Sequence, residues 1–363
     1  MKTWRDERLL SLFGIDVPII QAPMAGVGNP QLAIAVARAG ALGSLPCALL
    51  GVGPVREAVS LIRRHTAAPL NLNFFCHTPP QPDQHQLAVW KERIQAYATA
   101  SGMPSAPTPT VMPPSGTGVH IFDESFCAVV EETRPHVVSF HFGLPEASLV
   151  ARVRAAGARI ISSATTVSEA RWLADHGCDA IIAMGIEAGG HRGTFLPGEL
   201  CTQAGTFALV PQIVDAVRVP VIAAGGITDG RGLAAALMLG ASAVQMGTAY
   251  LLADEVSLPA LYRQAIEQAG DESTALTNVF TGRPARAIVN RAVRELGPLS
   301  TDAPPFPLAG SPLASLRTHC ERNGSGDFTP FWSGQSASLA ETLPAGEITR
   351  RIAAKALHAM GIR

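Results

Sequence analysis

Eight short apolar runs recur between residues 18 and 247, each followed by a stretch of helical periodicity. The runs are PIIQAP (18–23), ALGSL (41–45), PLNLNF (69–74), HVVSFH (136–141), ARIISS (158–163), CDAIIAM (178–184), VPVIAAG (219–225) and ASAVQMG (241–247). They are continuous rather than alternating, as expected of strands covered on their outer side by helices. Stretches such as NPQLAIAVARAG, GPVREAVSLIRRH, TVSEARWLADHG and TDGRGLAAALMLG lie between them. Asn29 and Thr228 stand where helix N-caps belong, and Gly40, Gly177 and Gly240 stand where helices stop. Eight βα units in series predict an α/β fold, a (β/α)8 TIM barrel, more readily than a doubly wound sheet.

Two regions break this rhythm. Residues 76–121 carry an extra helical segment over 83–100 and the stretch GMPSAPTPTVMPPSGTG, too long for an ordinary βα connection and read as a lid or rim excursion. Residues 252–335 hold helical pieces and a Pro-rich stretch, which predict a smaller, mainly helical subdomain capping the barrel mouth. The segment LPAGEITRRIAAKALHAM (343–360) is amphipathic. The division is then a barrel over 1–251, the subdomain over 252–335, and a helix within 336–363 that returns to the barrel.

Composition removes several function classes. With 28 Lys+Arg against 29 Asp+Glu, the chain has no cationic field for nucleic acid or an anionic membrane. Its apolar runs fall short of a membrane span and its start lacks a signal-peptide core, so a cytoplasmic protein is expected. Six scattered cysteines form no CxxC pair or zinc-type spacing, so neither disulfide nor metal is expected.

In such a barrel the chemistry sits at the C-terminal ends of the strands. Reading these in order gives Ala22, Pro23 and Met24, then Asn71 and Asn73, His141, Ser163, Met184 and the loop GIEAGGHRG (185–193). Gly225 and Gly226 follow the seventh run, and Gln245, Met246, Gly247 and Thr248 the eighth. Glycines in those two loops are the usual construction of a phosphate site, where backbone N–H groups approach an anion. The glycines around His191 bring backbone close to a ligand, and His141 ends a strand on the same mouth. Two imidazoles there can accept a proton from carbon or hold an anionic substrate. The other eight histidines, His77 and His319 among them, carry no such signature and are assigned to surface or packing.

The blocks QAPMAG, PLNLNFF, VVSFHFGLP, GIEAGGHRG, VIAAGGI, AVQMGTAY, TNVFTGRPAR and FWSGQ occur in the order and approximate spacing of the nitronate monooxygenases, formerly called 2-nitropropane dioxygenases. The chain resembles that family over about residues 9–360, most closely its alkyl-nitronate-oxidising class. The resemblance implies an FMN enzyme oxidising propionate 3-nitronate and similar nitronates, with nitroalkanes as further candidates, with dioxygen to a carbonyl product and nitrite. It implies flavin contacts at Ala22, Pro23, Met24, Asn71, Gly189, Gly226 and Gln245 through Thr248, and active-site histidines at His191 and His141. Met184 replaces the glutamine common before GIEAGGH, losing a polar contact to the flavin. Residues 301–320 lack the tyrosines and lysine typical of the family's substrate pocket and offer Phe306, Arg317 and His319 instead. The expected partners are a small nitro compound and dioxygen, in a monomer or homodimer. An NAD(P)H-dependent flavin reductase of quinones or enoyl thioesters on the same barrel is the alternative.

Overall fold

A strand buried on both faces needs neighbours on both edges, and the eight apolar runs find them in one another. The structure is a computed structural model that describes residues 4–103 and 118–362. Barrel strands are β1 (Ile19–Gln21), β2 (Gly43–Pro46), β3 (Leu70–Phe75), β4 (Val137–His141), β5 (Arg159–Ala164) and β6 (Ala180–Met184). After a two-residue strand outside the barrel, β7 (Gly190–His191), come β8 (Val221–Ala224) and β9 (Ala243–Met246). All barrel pairs are parallel, in the order β1-β9-β8-β6-β5-β4-β3-β2. The remaining seam is joined by a single parallel bridge, Ile20 to Leu42. The eight strands thus form a nearly closed barrel.

Local chemistry places the surrounding helices. Asn29 caps Pro30–Arg38 by accepting from the Leu32 N–H. Thr228 does not cap the next predicted case. Asp229 does, accepting from the N–H groups of Arg231 and Gly232, because its carboxylate is a charged acceptor at a helix N-terminus. The Thr228 hydroxyl instead meets Ser336 Oγ at 2.5 Å. Helix Ala345–Ala359 fills the ring position after β9, packed against Gly230–Met238 and Pro30–Arg38. The approach at Gly230 is so close that a Cβ there would lie 2.4 Å from that of Lys355.

The region between β9 and that helix is not wholly helical. Around helices Ala260–Glu267 and Gly310–Arg322 it carries an antiparallel hairpin, β10 (Thr274–Thr277) and β11 (Ala285–Ile288), whose second strand pairs with β7. β10 is short and largely half-buried, so TALT carries too little apolar pattern to announce a strand. Helix Gln84–Ala100 packs against Gly310–Arg322, and Trp90 Nε1 donates to the Ala309 carbonyl at 3.0 Å. Trp90, Ile94, Leu313, Leu316 and Phe328 share a core separate from that of the barrel. Most of the expected lid, residues 104–117, lies outside the described residues. No helix among the described residues is long and apolar enough to cross a membrane.

Candidate active site

A cavity of about 580 Å³ opens at the C-terminal ends of the strands, beneath the hairpin and helix Gly310–Arg322. Ala22, Pro23, Met24, His141, Met184, Gly189, His191, Gly225, Gly226, Gln245, Gly247 and Thr248 all line it. Asn71 and Met246 do not. Asn71 lies deeper in the barrel, where its Nδ2 donates to Ser44 Oγ at 2.9 Å. Asn73, two residues along the same inward face, reaches the wall instead and donates to Ser139. Met246 falls on the other face of β9 from Gln245, by strand alternation, and packs in the barrel core.

One wall is made of backbone. Gly225 and Gly226 hold φ of +113° and +68°, which side-chain-bearing residues rarely adopt. A Cβ on Gly225 would stand 2.9 Å from Thr206 Oγ1 and 3.0 Å from the Ala188 nitrogen. A Cβ on Gly189 would stand 2.5 Å from the Gly334 nitrogen, so the FWSGQ block is seated directly on the glycine loop. The Gly334 N–H donates to Thr248 Oγ1 at 3.0 Å, and the Gln335 N–H to the Glu187 carbonyl at 3.1 Å. The Glu187 carboxylate accepts from Thr206 N and Oγ1 at the start of helix Thr206–Ala216, and is thereby committed to holding the loop. Arg192, fully buried, does similar work by donating to the Met184 carbonyl at 2.7 Å and to Gln203 Oε1 at 2.8 Å. Gln245 Oε1, on this lining, is buried with no hydrogen-bond partner, a state that buried carbonyls seldom hold without a ligand or water.

The opposite wall is made of rings. His191 lies on β7, paired to Ala285, and its imidazole sits 5.2 Å from Phe306 and 5.3 Å from Trp332 between centroids. Its Nε2 is 2.9 Å from Thr281 Oγ1. His141 has both nitrogens engaged, Nδ1 with Ser163 Oγ at 2.7 Å and Nε2 with the His191 carbonyl at 3.2 Å. With Nε2–H donating to the carbonyl, Nδ1 accepts from the serine hydroxyl. Gly193 makes room for that pair, since a Cβ there would meet Ser163 Oγ at 2.4 Å. Burial pushes both histidines down to about 3, reinforced at His141 by the Arg283 charge and at His191 by His141, Arg283 and His77. Both imidazoles are neutral at pH 7.

Three residues here carry little local signal in the sequence. Thr281 and Trp332 stand in TNVFTGRPAR and FWSGQ, blocks that were informative only as a resemblance, because their contacts are made across long stretches of chain. His77, assigned to packing, is buried 4.8 Å from the Phe306 ring, and its Nδ1 has no partner. Burial lowers it to about 4. Of the three substrate-side candidates, Phe306 and Arg317 line the cavity. His319 turns away to the Ser101 carbonyl at 3.0 Å.

Comparison with known proteins agrees with this architecture. The family model described as nitronate monooxygenase matches residues 6–355. A nitronate monooxygenase of Paraburkholderia phytofirmans is 41% identical over 95% of this chain and 93% of its own length. That of Pseudomonas aeruginosa is 40% identical over 95% of this chain and 98% of its own. Among solved structures, nitroalkane oxidase from Streptomyces ansochromogenes superposes with a TM-score of 0.85 at 36% identity, covering 97% of this chain and 99% of that one. FabK from Thermotoga maritima gives 0.72 at 28% identity, covering 99% and 98%. With a family match spanning nearly the whole sequence and relatives at this identity, the chain belongs to the nitronate monooxygenase family.

Proposed function

We propose that the cavity holds FMN and that the protein oxidises alkyl nitronates, of the propionate 3-nitronate type, with dioxygen to a carbonyl product and nitrite. The observation that carries this reading is the unpartnered Gln245 Oε1 in the same cavity as the Gly225-Gly226 cradle. The residues fit the group. The glycines, Gly247 and Thr248 would take the phosphate, Ala22, Pro23 and Met24 would lie against the ring, and Gln245 would accept from a ring N–H. Met184 would pack on the flavin edge through its thioether without a strong hydrogen bond. When bound, the flavin supplies the electron-accepting chemistry.

This chain's own residues supply orientation and charge. With Thr281 Oγ1–H donating to His191 Nε2, the imidazole proton sits on Nδ1, where it would donate to a nitronate oxygen. Burial keeps the imidazole neutral, and its place on the cavity lining suits it to hold a preformed anion. His141, with both nitrogens occupied, braces the His191 carbonyl and is a positioning residue. The test is the visible spectrum of the purified protein, followed by anaerobic additions. Bleaching by nitronate, with reoxidation by air, supports the reading; bleaching by NADH alone favours the reductase alternative, and colourless protein defeats the FMN assignment.

A further inference from the structure

The turn joining β10 to β11 puts an unpaired positive charge behind the imidazole wall. Arg283 is half-buried, and its Cζ lies 3.9 Å from the centroid of the Phe142 ring. Its one hydrogen bond is a donation to the Thr194 carbonyl, and no carboxylate forms an ion pair with it among the described residues. The acid in this neighbourhood, Glu169, acts on Arg283 only at a distance, because its oxygens are turned to other donors. Its oxygens accept from Thr165 N at 2.6 Å, Phe195 N at 2.7 Å and Leu196 N at 3.1 Å. Two further buried cations near the loop, Arg192 and Arg286, are directed at the Met184 and Ile186 carbonyls.

The platform under Arg283 is itself unusual. Phe142 has a φ of +71°, a backbone that non-glycine residues keep only where their surroundings fix it. In that conformation the ring lies 4.4 Å from His141 and under the guanidinium. The same ring lies 6.1 Å from His191 and 6.0 Å from His77. One aromatic ring therefore carries the cation and neighbours three imidazoles.

We propose that Arg283, seated on Phe142, is the fixed charge that makes this cavity select anionic over neutral nitro compounds. The inference rests on the substrate class proposed above and assigns a positioning residue for it. A half-buried guanidinium with no carboxylate in contact and low-dielectric walls around it focuses positive potential into the cavity. It lowers the free energy of a bound anion and raises that of an imidazolium, so the histidines stay neutral while the substrate's charge is accommodated. At a separation of two side-chain layers and an effective dielectric near 20, the effect on an anion is about tenfold or more.

The experiment compares Arg283→Met and Arg283→Lys in the flavin-loaded enzyme, with nitrite and 1-nitropropane as anionic and neutral competitors of nitronate oxidation. Arg283→Met should raise the nitronate KM and the nitrite inhibition constant about tenfold. It should leave kcat and the 1-nitropropane constant within about twofold, and Arg283→Lys should recover most of the nitronate KM. Equal weakening of both competitors, or equal behaviour of Met and Lys, overturns the proposal. Wild-type protein inactive on nitronate would defeat the proposed function instead. In that event the histidine ring resonances decide: an upward shift of their titrations in Arg283→Met supports the charge placement, and unchanged titrations overturn it.

Discussion

The two walls of the cavity are built by different physics. The glycine wall is backbone against backbone, where a single added carbon meets atoms at 2.5–3.0 Å around Gly189 and Gly225. The imidazole wall is side chain against side chain, with rings 4.4–6.4 Å apart and hydrogen bonds from Thr281 and Ser163. The first admits no gradation, because steric overlap is steep. The second is graded, since burial, dipoles and distant charge each contribute separately. Substitutions should therefore act as a switch on one side and as a dial on the other.

The sharpest break lies on the glycine side. Gly226→Leu drives a branched side chain against Glu187, which holds the glycine loop of the proposed phosphate site, on a backbone of φ +68°. Flavin content per folded protein, from absorbance and circular dichroism, should fall to near zero. Full retention of the yellow colour would move the phosphate elsewhere. On the imidazole side His191→Asn should be milder, lowering nitronate turnover by about 10- to 100-fold, as for loss of a charge-assisted hydrogen bond. Rates normalised to bound flavin should fall by the same factor for preformed nitronate and for neutral nitroalkane. A loss confined to the nitroalkane would restore His191 as a base and contradict the anion-holding role.

The smallest effect concerns stability against pH. His141 and His191 are held down to about 3 and His77 to about 4, whereas an unfolded chain titrates its histidines at 6.5. Between those values the unfolded state binds more protons, so stability rises with pH through about 3 to 6.5 and levels off above it. Tm should then drop from pH 7.5 to pH 5. His77→Leu removes one of the three groups together with its unpartnered Nδ1, so it should flatten that slope and leave turnover within about twofold. An unchanged slope would mean that His77 is solvated in the folded protein.

How much of each wall the sequence discloses follows from how local its causes are. Gly225, Gly226, Gly247 and Thr248 end strands whose apolar runs are plain, so their convergence follows from the barrel period alone. His191 is legible as a histidine among glycines, but its confinement is not, because β11 arrives from almost a hundred residues downstream to pair with it. Asn71 and Asn73 share one inward face, and only the depth of the cavity floor separates them. The same holds for His141, whose engagement by Ser163 depends on β4 and β5 lying side by side. Charge at a distance is least visible: nothing adjacent to Arg283 in sequence announces Phe142 as its neighbour.

The late position of helix Ala345–Ala359 bears on how the molecule comes into being. A ribosome delivers β9 well before that helix, with the hairpin, helix Gly310–Arg322 and the FWSGQ block in between. Until then the outer groove between Pro30–Arg38 and Gly230–Met238 has no occupant, and the loop at Gly189 has no Gly334 seated on it. Both vacancies are filled by one short stretch of translation, residues 334–359. The nascent barrel consequently exposes an apolar seam for much of its synthesis, a period in which holdase chaperones have a surface to grip. Completion of the proposed cofactor site and ring closure then become nearly simultaneous events, so a truncated product carries an unfinished site along with an unfinished fold.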